Sequence, residues 1–206
     1  MQKLIIILVL FVTGVLTSQT NYEKGMQKAF ELWGSNPMEA SNLFERIATA
    51  EPDNWLPSYY AAQINIVSSF GEQDKEKLTA QLGKAQELLD ISKSISNNNP
   101  EILVMEALLN TAWVAYDGAT FGMTLSGKIT ALYAQAEELS PNNPRVILNK
   151  AEWAMGSARF FGQDTAPFCA DVEKALELFA NFKPETAFHP KWGKNRAEQI
   201  LESCKK

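Results

Sequence analysis

The sequence predicts an all-α fold: an α-solenoid of about four antiparallel helix pairs, closed by a C-terminal capping helix and preceded by a signal peptide. Two observations carry this expectation. From residue 21 onward apolar residues recur three and four apart, the period of one helix face, and no stretch alternates in the manner of a strand. Helix-stop signals also recur at matching places along the chain, which is the signature of a stacked repeat.

The N-terminal stretch MQKLIIILVLFVTGVLTSQT has one basic residue, Lys3, then an unbroken apolar run over residues 4–12 and a small or polar exit to Thr20. That layout predicts a secretory signal peptide over residues 1–18 with cleavage before Gln19. A membrane anchor is the alternative, but the run ends by Leu16, short of the roughly 20 apolar residues that span a bilayer. The following chain, residues 19–206, is read as one helical repeat domain.

Its helices come in pairs. NYEKGMQKAFELW is followed by PMEASNLFERIATAEP, and WLPSYYAAQINIVSSF by DKEKLTAQLGKAQELLDISKSI. PEILVMEALLNTAWVAY is followed by LSGKITALYAQAEELSP, and PRVILNKAEWAMGSARFF by PFCADVEKALELFANF. The units run over about 21–52, 53–99, 100–143 and 144–184, and a cap helix over 190–205 closes the chain. Within each pair the first helix is expected to end on an aromatic followed by glycine: Trp33-Gly34, Phe70-Gly71, Phe121-Gly122 and Phe161-Gly162. Between pairs the joints are EPDNW, NNNP, PNNP and KPET, where proline stops one helix and is welcome in the first turn of the next. The stretch DGATFGMTLSG reads as an inserted turn.

These units resemble the tetratricopeptide repeat family, in the form of a divergent exported bacterial member. Ala40, Phe44, Ile47 and Pro52 keep the spacing of the family's second helix with one substitution, as do Ile129, Tyr133, Ala136 and Pro141. Ala29, Ala62, Ala107 and Ala151 can take the small-residue position where the helices cross. The chain departs from the pattern at Glu106 and Lys150, where the family has leucine, and in the 45- and 44-residue spacing of Ala62, Ala107 and Ala151. The resemblance implies a concave groove lined by the first helices. It nominates as groove positions Tyr59, Gln63 and Ile66 in the second unit, Val104, Leu108 and Thr111 in the third, and Leu148, Glu152 and Met155 in the fourth. This strip is mostly apolar and suits an extended or helical apolar segment of another protein.

A formal charge of −5, or −6 without Lys3, with scattered basic residues argues against nucleic acid as a partner. No motif of metal ligands, phosphate loop or nucleophile is present, so no cofactor, metal or catalytic residue is assigned. The one histidine, His189, lies in a turn before proline and reads as structural. The aromatics Trp55, Tyr59, Tyr60, Trp113, Tyr116, Phe121, Trp153, Phe160 and Phe161 are mostly expected in the core.

Only two cysteines occur, which export would allow to pair. If the last pair's second helix and the cap run antiparallel through a turn at 185–190, Cys169 lies 18 positions before Ala187 and Cys204 17 after it. Equal rise then puts both sulfurs at one level and predicts a Cys169–Cys204 disulfide, two reduced thiols on different faces being the alternative.

The leading functional reading is a non-enzymatic exported scaffold, periplasmic or extracellular in a bacterial envelope setting, that binds a protein or peptide segment in its groove. The alternative is a protein that binds a small molecule, peptide or sugar through the aromatic stretch around residues 113–121. Nothing in the sequence names the partner or specifies an oligomeric state.

Overall fold

Four helices begin on an asparagine in the structure, a computed structural model that describes residues 21–205. The Asn36, Asn54, Asn99 and Asn143 side chains accept the backbone N–H of Glu39, Leu56, Glu101 and Arg145 respectively. Asp74 and Asp117 cap two more. Each cap satisfies a donor that the first helical turn leaves unpaired, and Pro37, Pro100 and Pro144 follow where no N–H is missed.

Residues 21–33 form α1. Then come α2 (Pro37–Ala50), α3 (Trp55–Ser69), α4 (Lys75–Ile95), α5 (Pro100–Tyr116), α6 (Gly118–Leu139), α7 (Pro144–Phe160), α8 (Cys169–Asn181) and α9 (Lys194–Cys204). A 3-10 turn, Ala166–Phe168, leads into α8. The described residues are all-helical, as expected, and contain no strand. The expected leader, residues 1–18, lies outside the described residues. Among the described residues no helix is long and apolar enough to cross a membrane.

Neighbouring helices in the chain pack on one another, α3 with α4, α5 with α6 and α7 with α8, while α3, α5 and α7 lie side by side as an inner layer. Of the inner helices, α3 and α5 are buried nearly all round, while α7 keeps an exposed side at Lys150, Gly156 and Arg159. In α3 the buried residues include Tyr59, Tyr60, Ile64 and Asn65, which point in different directions around the helix axis. A first helix with an open groove on one side would keep a polar face, and α3 has none. The outer helices are amphipathic: α2 buries Ala40, Phe44 and Ile47 at helical spacing, and α6 buries Ile129, Tyr133 and Ala136. A second, smaller core joins α7, α8 and α9 through Leu148, Met155, Val172, Ala175, Ala197 and Ile200.

Two of the expected aromatic-glycine stops stand in the left-handed region, Gly71 at φ 91° and Gly162 at φ 66°. Phe121-Gly122 does not end a helix. The stretch read as an inserted turn is the continuous first half of α6, opened by Asp117, whose carboxylate accepts the N–H of Thr120. The chain reverses between Tyr116 and Gly118 because a capping aspartate followed by glycine supplies the joint directly.

The cysteines are joined. Cys169 opens α8, Cys204 closes α9, and their Cα atoms are 6.1 Å apart across the S–S bond. The hairpin is wider than a tight turn, with twelve residues, 182–193, between helices of 13 and 11 residues. The two sulfurs meet at one level because those two helices are of nearly equal length.

Candidate functional site

The inner layer is covered by the chain itself. Residues 182–193 lie across it, and four aromatic or imidazole side chains from this segment seat on successive first helices. Phe188 packs edge-on against Tyr22, with ring centroids 5.5 Å apart, and stacks on Phe30 at 6.1 Å. Its carbonyl accepts the Tyr60 hydroxyl at 2.7 Å. Trp192 Nε1 donates to the Tyr59 hydroxyl at 2.9 Å. Burial raises the pKa of both phenols above the ordinary tyrosine value, so both stay protonated.

Beneath the segment lies a buried charge pair. Arg145 is fully buried; its Nε and Nη2 donate to Glu101 Oε2 and Oε1 at 2.7 and 2.6 Å. Asn143 Nδ2 donates to the same Glu101 Oε1, and the Phe182 ring lies 4.3 Å from Arg145 Cζ. Such a pair is tolerated because the fork geometry and the added amide replace most of the lost water. The sequence reading missed it. Its signal is nonetheless in the repeat: Asn99-Pro100-Glu101 and Asn143-Pro144-Arg145 are the same helix start in successive units, with opposite charges at the equivalent place.

His189 sits beside this pair. Burial holds its pKa below the ordinary 6.5, against the attraction of Glu101 and Glu185, and Arg145 adds a smaller push downward. The unfolded chain therefore takes up the proton first as pH falls. Stability is expected to decline as pH drops from about 6.5 toward the folded value, and to be independent of this group above that window. Urea unfolding across this range should show a shallower dependence for His189→Asn; parallel curves for the two proteins would count against it.

Most of the nominated groove positions do not meet solvent. Tyr59, Gln63, Ile66, Val104, Leu148 and Met155 are buried, while Leu108, Thr111 and Glu152 are partly buried. The chain's own C-terminal segment meets several of them. Tyr59 bonds Trp192, Leu148 lies against Gly193, and Glu152 accepts Arg196 Nε at 2.7 Å. Gly193 is required there: its φ is 110°, and a Cβ would come within 2.7 Å of Phe179.

The aromatic stretch around 113–121 has a different fate. It sits at the end of the inner layer where α5 and α7 finish, and among the described residues it is only partly covered. From Trp113 to Lys128 no residue is fully buried, and the first half of α6 meets the core only at its margin, through Leu125. Trp113 and Phe121 pair at 5.1 Å, and Phe160 and Phe161 pair edge-on at 5.2 Å. A Cβ on Gly118 would touch Phe160 at 3.4 Å, which places Phe160 beside the first turn of α6. Phe160 is 69% exposed, Phe161 70% and Met123 96%. An exposed cluster of large apolar side chains is the kind of surface that marks a binding site. Among the described residues no group of side chains is arranged to hold a metal ion.

No protein-family model matches the chain, and no curated protein sequence is similar to it. Among solved structures the fold is similar to that of the HusA haemophore from Porphyromonas gingivalis, with a TM-score of 0.77 and 25% identity over 89% of this chain and 92% of that one.

Proposed function

We propose that this protein is an exported, non-enzymatic carrier of a flat, mostly apolar small molecule of the haem class, bound at the aromatic edge of α5, α6 and α7. The observation that carries the reading is the likeness to a haemophore along nearly the full length of both chains. The edge supplies a suitable surface: Trp113, Phe121, Phe160 and Phe161 offer ring faces, and Met123 a flexible apolar arm. Lys75 at the start of α4, close enough to act on Asp117, and Arg159 in the last turn of α7 add cations for a ligand's carboxylate arms. The disulfide supports export, since such bonds persist in oxidising compartments. A small molecule is favoured over a protein partner in the concave face because residues 182–193 already occupy that face.

Haemin titration tests the reading, followed by the Soret band and by quenching of tryptophan fluorescence. Saturable binding is expected. Phe160→Ser with Phe161→Ser should weaken it at least about thirtyfold, the effect of losing one aromatic hot spot of about 2 kcal/mol. Both side chains are largely exposed, so circular dichroism should show an intact fold. Absence of saturable binding by the parent protein would reject the haem reading; unchanged affinity in the folded variant would reject the edge as its site.

A further inference from the structure

At the opposite end of the inner layer, where α5 and α7 begin, a cleft of about 330 Å³ opens between the α4–α5 turn, the α6–α7 turn and residues 182–189. One side is aromatic. Trp55 is braced edge-on by Tyr59 at 5.3 Å, and Phe182 is fixed against Arg145. Amides and hydroxyls of Asn97, Asn98, Ser96 and Ser140 line another part, beside the charged Glu101, Lys183 and Glu185. The Asn98 side chain makes no hydrogen bond within the described residues, while its N–H is held by Asn97 Oδ1 at 3.0 Å.

The His189 ring faces this cleft and makes no direct hydrogen bond. Its side chain is only 11% exposed, yet Nε2 stands 3.9 Å from Glu101 Oε1 and Nδ1 3.8 Å from Glu185 Oε2. Both gaps are too long for a direct hydrogen bond and of a length that an intervening oxygen closes. A neutral imidazole has one donor and one acceptor, and both are open to a ligand that enters the cleft. Charge at the cleft is balanced: Arg145 neutralises Glu101, and Lys183 and Glu185 on the rim are of opposite sign. Nothing there selects an ion. Mixed amide donors and acceptors, an aromatic wall and an imidazole with no direct partner instead suit hydroxyl groups, each of which donates and accepts.

We propose that this cleft binds a neutral, hydroxyl-bearing ring of monosaccharide size. The ring's C–H face lies on Trp55, one hydroxyl sits between His189 Nδ1 and the Glu185 carboxylate, and others reach Asn97 and Asn98. The volume lies at the lower end of the roughly 300–1,000 Å³ of small-ligand clefts, which suits one ring rather than a tetrapyrrole. The site lies at the far end of the fold from the aromatic edge, so it stands apart from the haem reading.

The chain has one histidine, so its imidazole NMR signals need no assignment. The disulfide-bonded protein is titrated separately with glucose, galactose and N-acetylglucosamine, and with inorganic phosphate and glycine as charged probes. Saturable movement of the His189 ring signals is expected with at least one sugar, and with neither charged probe. Asn97→Ala with Asn98→Gly, placed on an exposed turn and compatible with the Asn98 φ of 55°, should weaken it at least tenfold, about 1.4 kcal/mol. No saturable movement with any of the three sugars, saturation by phosphate or glycine instead, or undiminished sugar binding in the folded double variant would each overturn the proposal.

Discussion

Arg145→Ala is expected to destabilise the protein by about 3–5 kcal/mol, the cost of leaving one member of a buried ion pair without its partner. Glu101 is 1% exposed and would keep only Asn143 as a close donor. The substitution also removes the cation against which Phe182 packs, so residues 182–193 should loosen with it. Arg145→Met combined with Glu101→Leu replaces both charges with apolar groups of similar reach and should recover most of the loss. Lys150→Ala, which breaks an exposed pair with Glu137, should change stability by less than about 1 kcal/mol. Urea unfolding followed by circular dichroism compares all three. A loss below about 1 kcal/mol for Arg145→Ala would mean that water reaches Glu101 and that the segment does not seal the inner layer.

Replacing both cysteines by serine should cost about 3–4 kcal/mol on the chain-entropy account of a loop closed by residues 35 apart. The effect should be concentrated at the C-terminus. Helix α9 has 11 residues and buries only Ala197 and Ile200, too little to hold an isolated helix of that length in place. Without the bond, α9 is expected to fray first and the segment that covers the inner layer to follow. Limited proteolysis should then cut within residues 182–193 at protease levels that leave the parent intact. An unchanged unfolding midpoint together with unchanged cleavage would show that packing on α7 and α8 already fixes the cap.

Helix existence and most helix ends were legible in the sequence, because their causes are local. An asparagine or aspartate side chain reaches a backbone N–H two or three residues ahead, and proline acts within one turn. The Cys169–Cys204 bond was legible for a related reason: two short antiparallel helices of nearly equal length keep their level whatever the exact path of the loop between them. At Phe121-Gly122 the local signal misled, since the aspartate cap at Asp117 had already turned the chain and the glycine was carried inside α6. The aromatic stretch around 113–121 stood out as a ligand candidate, but the placing of Phe160 beside the first turn of α6 did not.

What only the tertiary structure decided is what meets what across the inner layer. Periodicity identifies which face of a helix is apolar; it does not say whether a neighbour, a ligand or the chain's own tail covers that face. Glu101 and Arg145 are 44 residues apart, and Phe188 and Tyr60 are 128 apart. Those meetings depend on how successive helix pairs stack over the whole chain, and no local pattern encodes the sum. The sequence alone therefore determined an all-α stack of capped helices and its closing disulfide. The tertiary structure decided that the concave face is filled from within, leaving an aromatic edge open at one end and a polar cleft at the other.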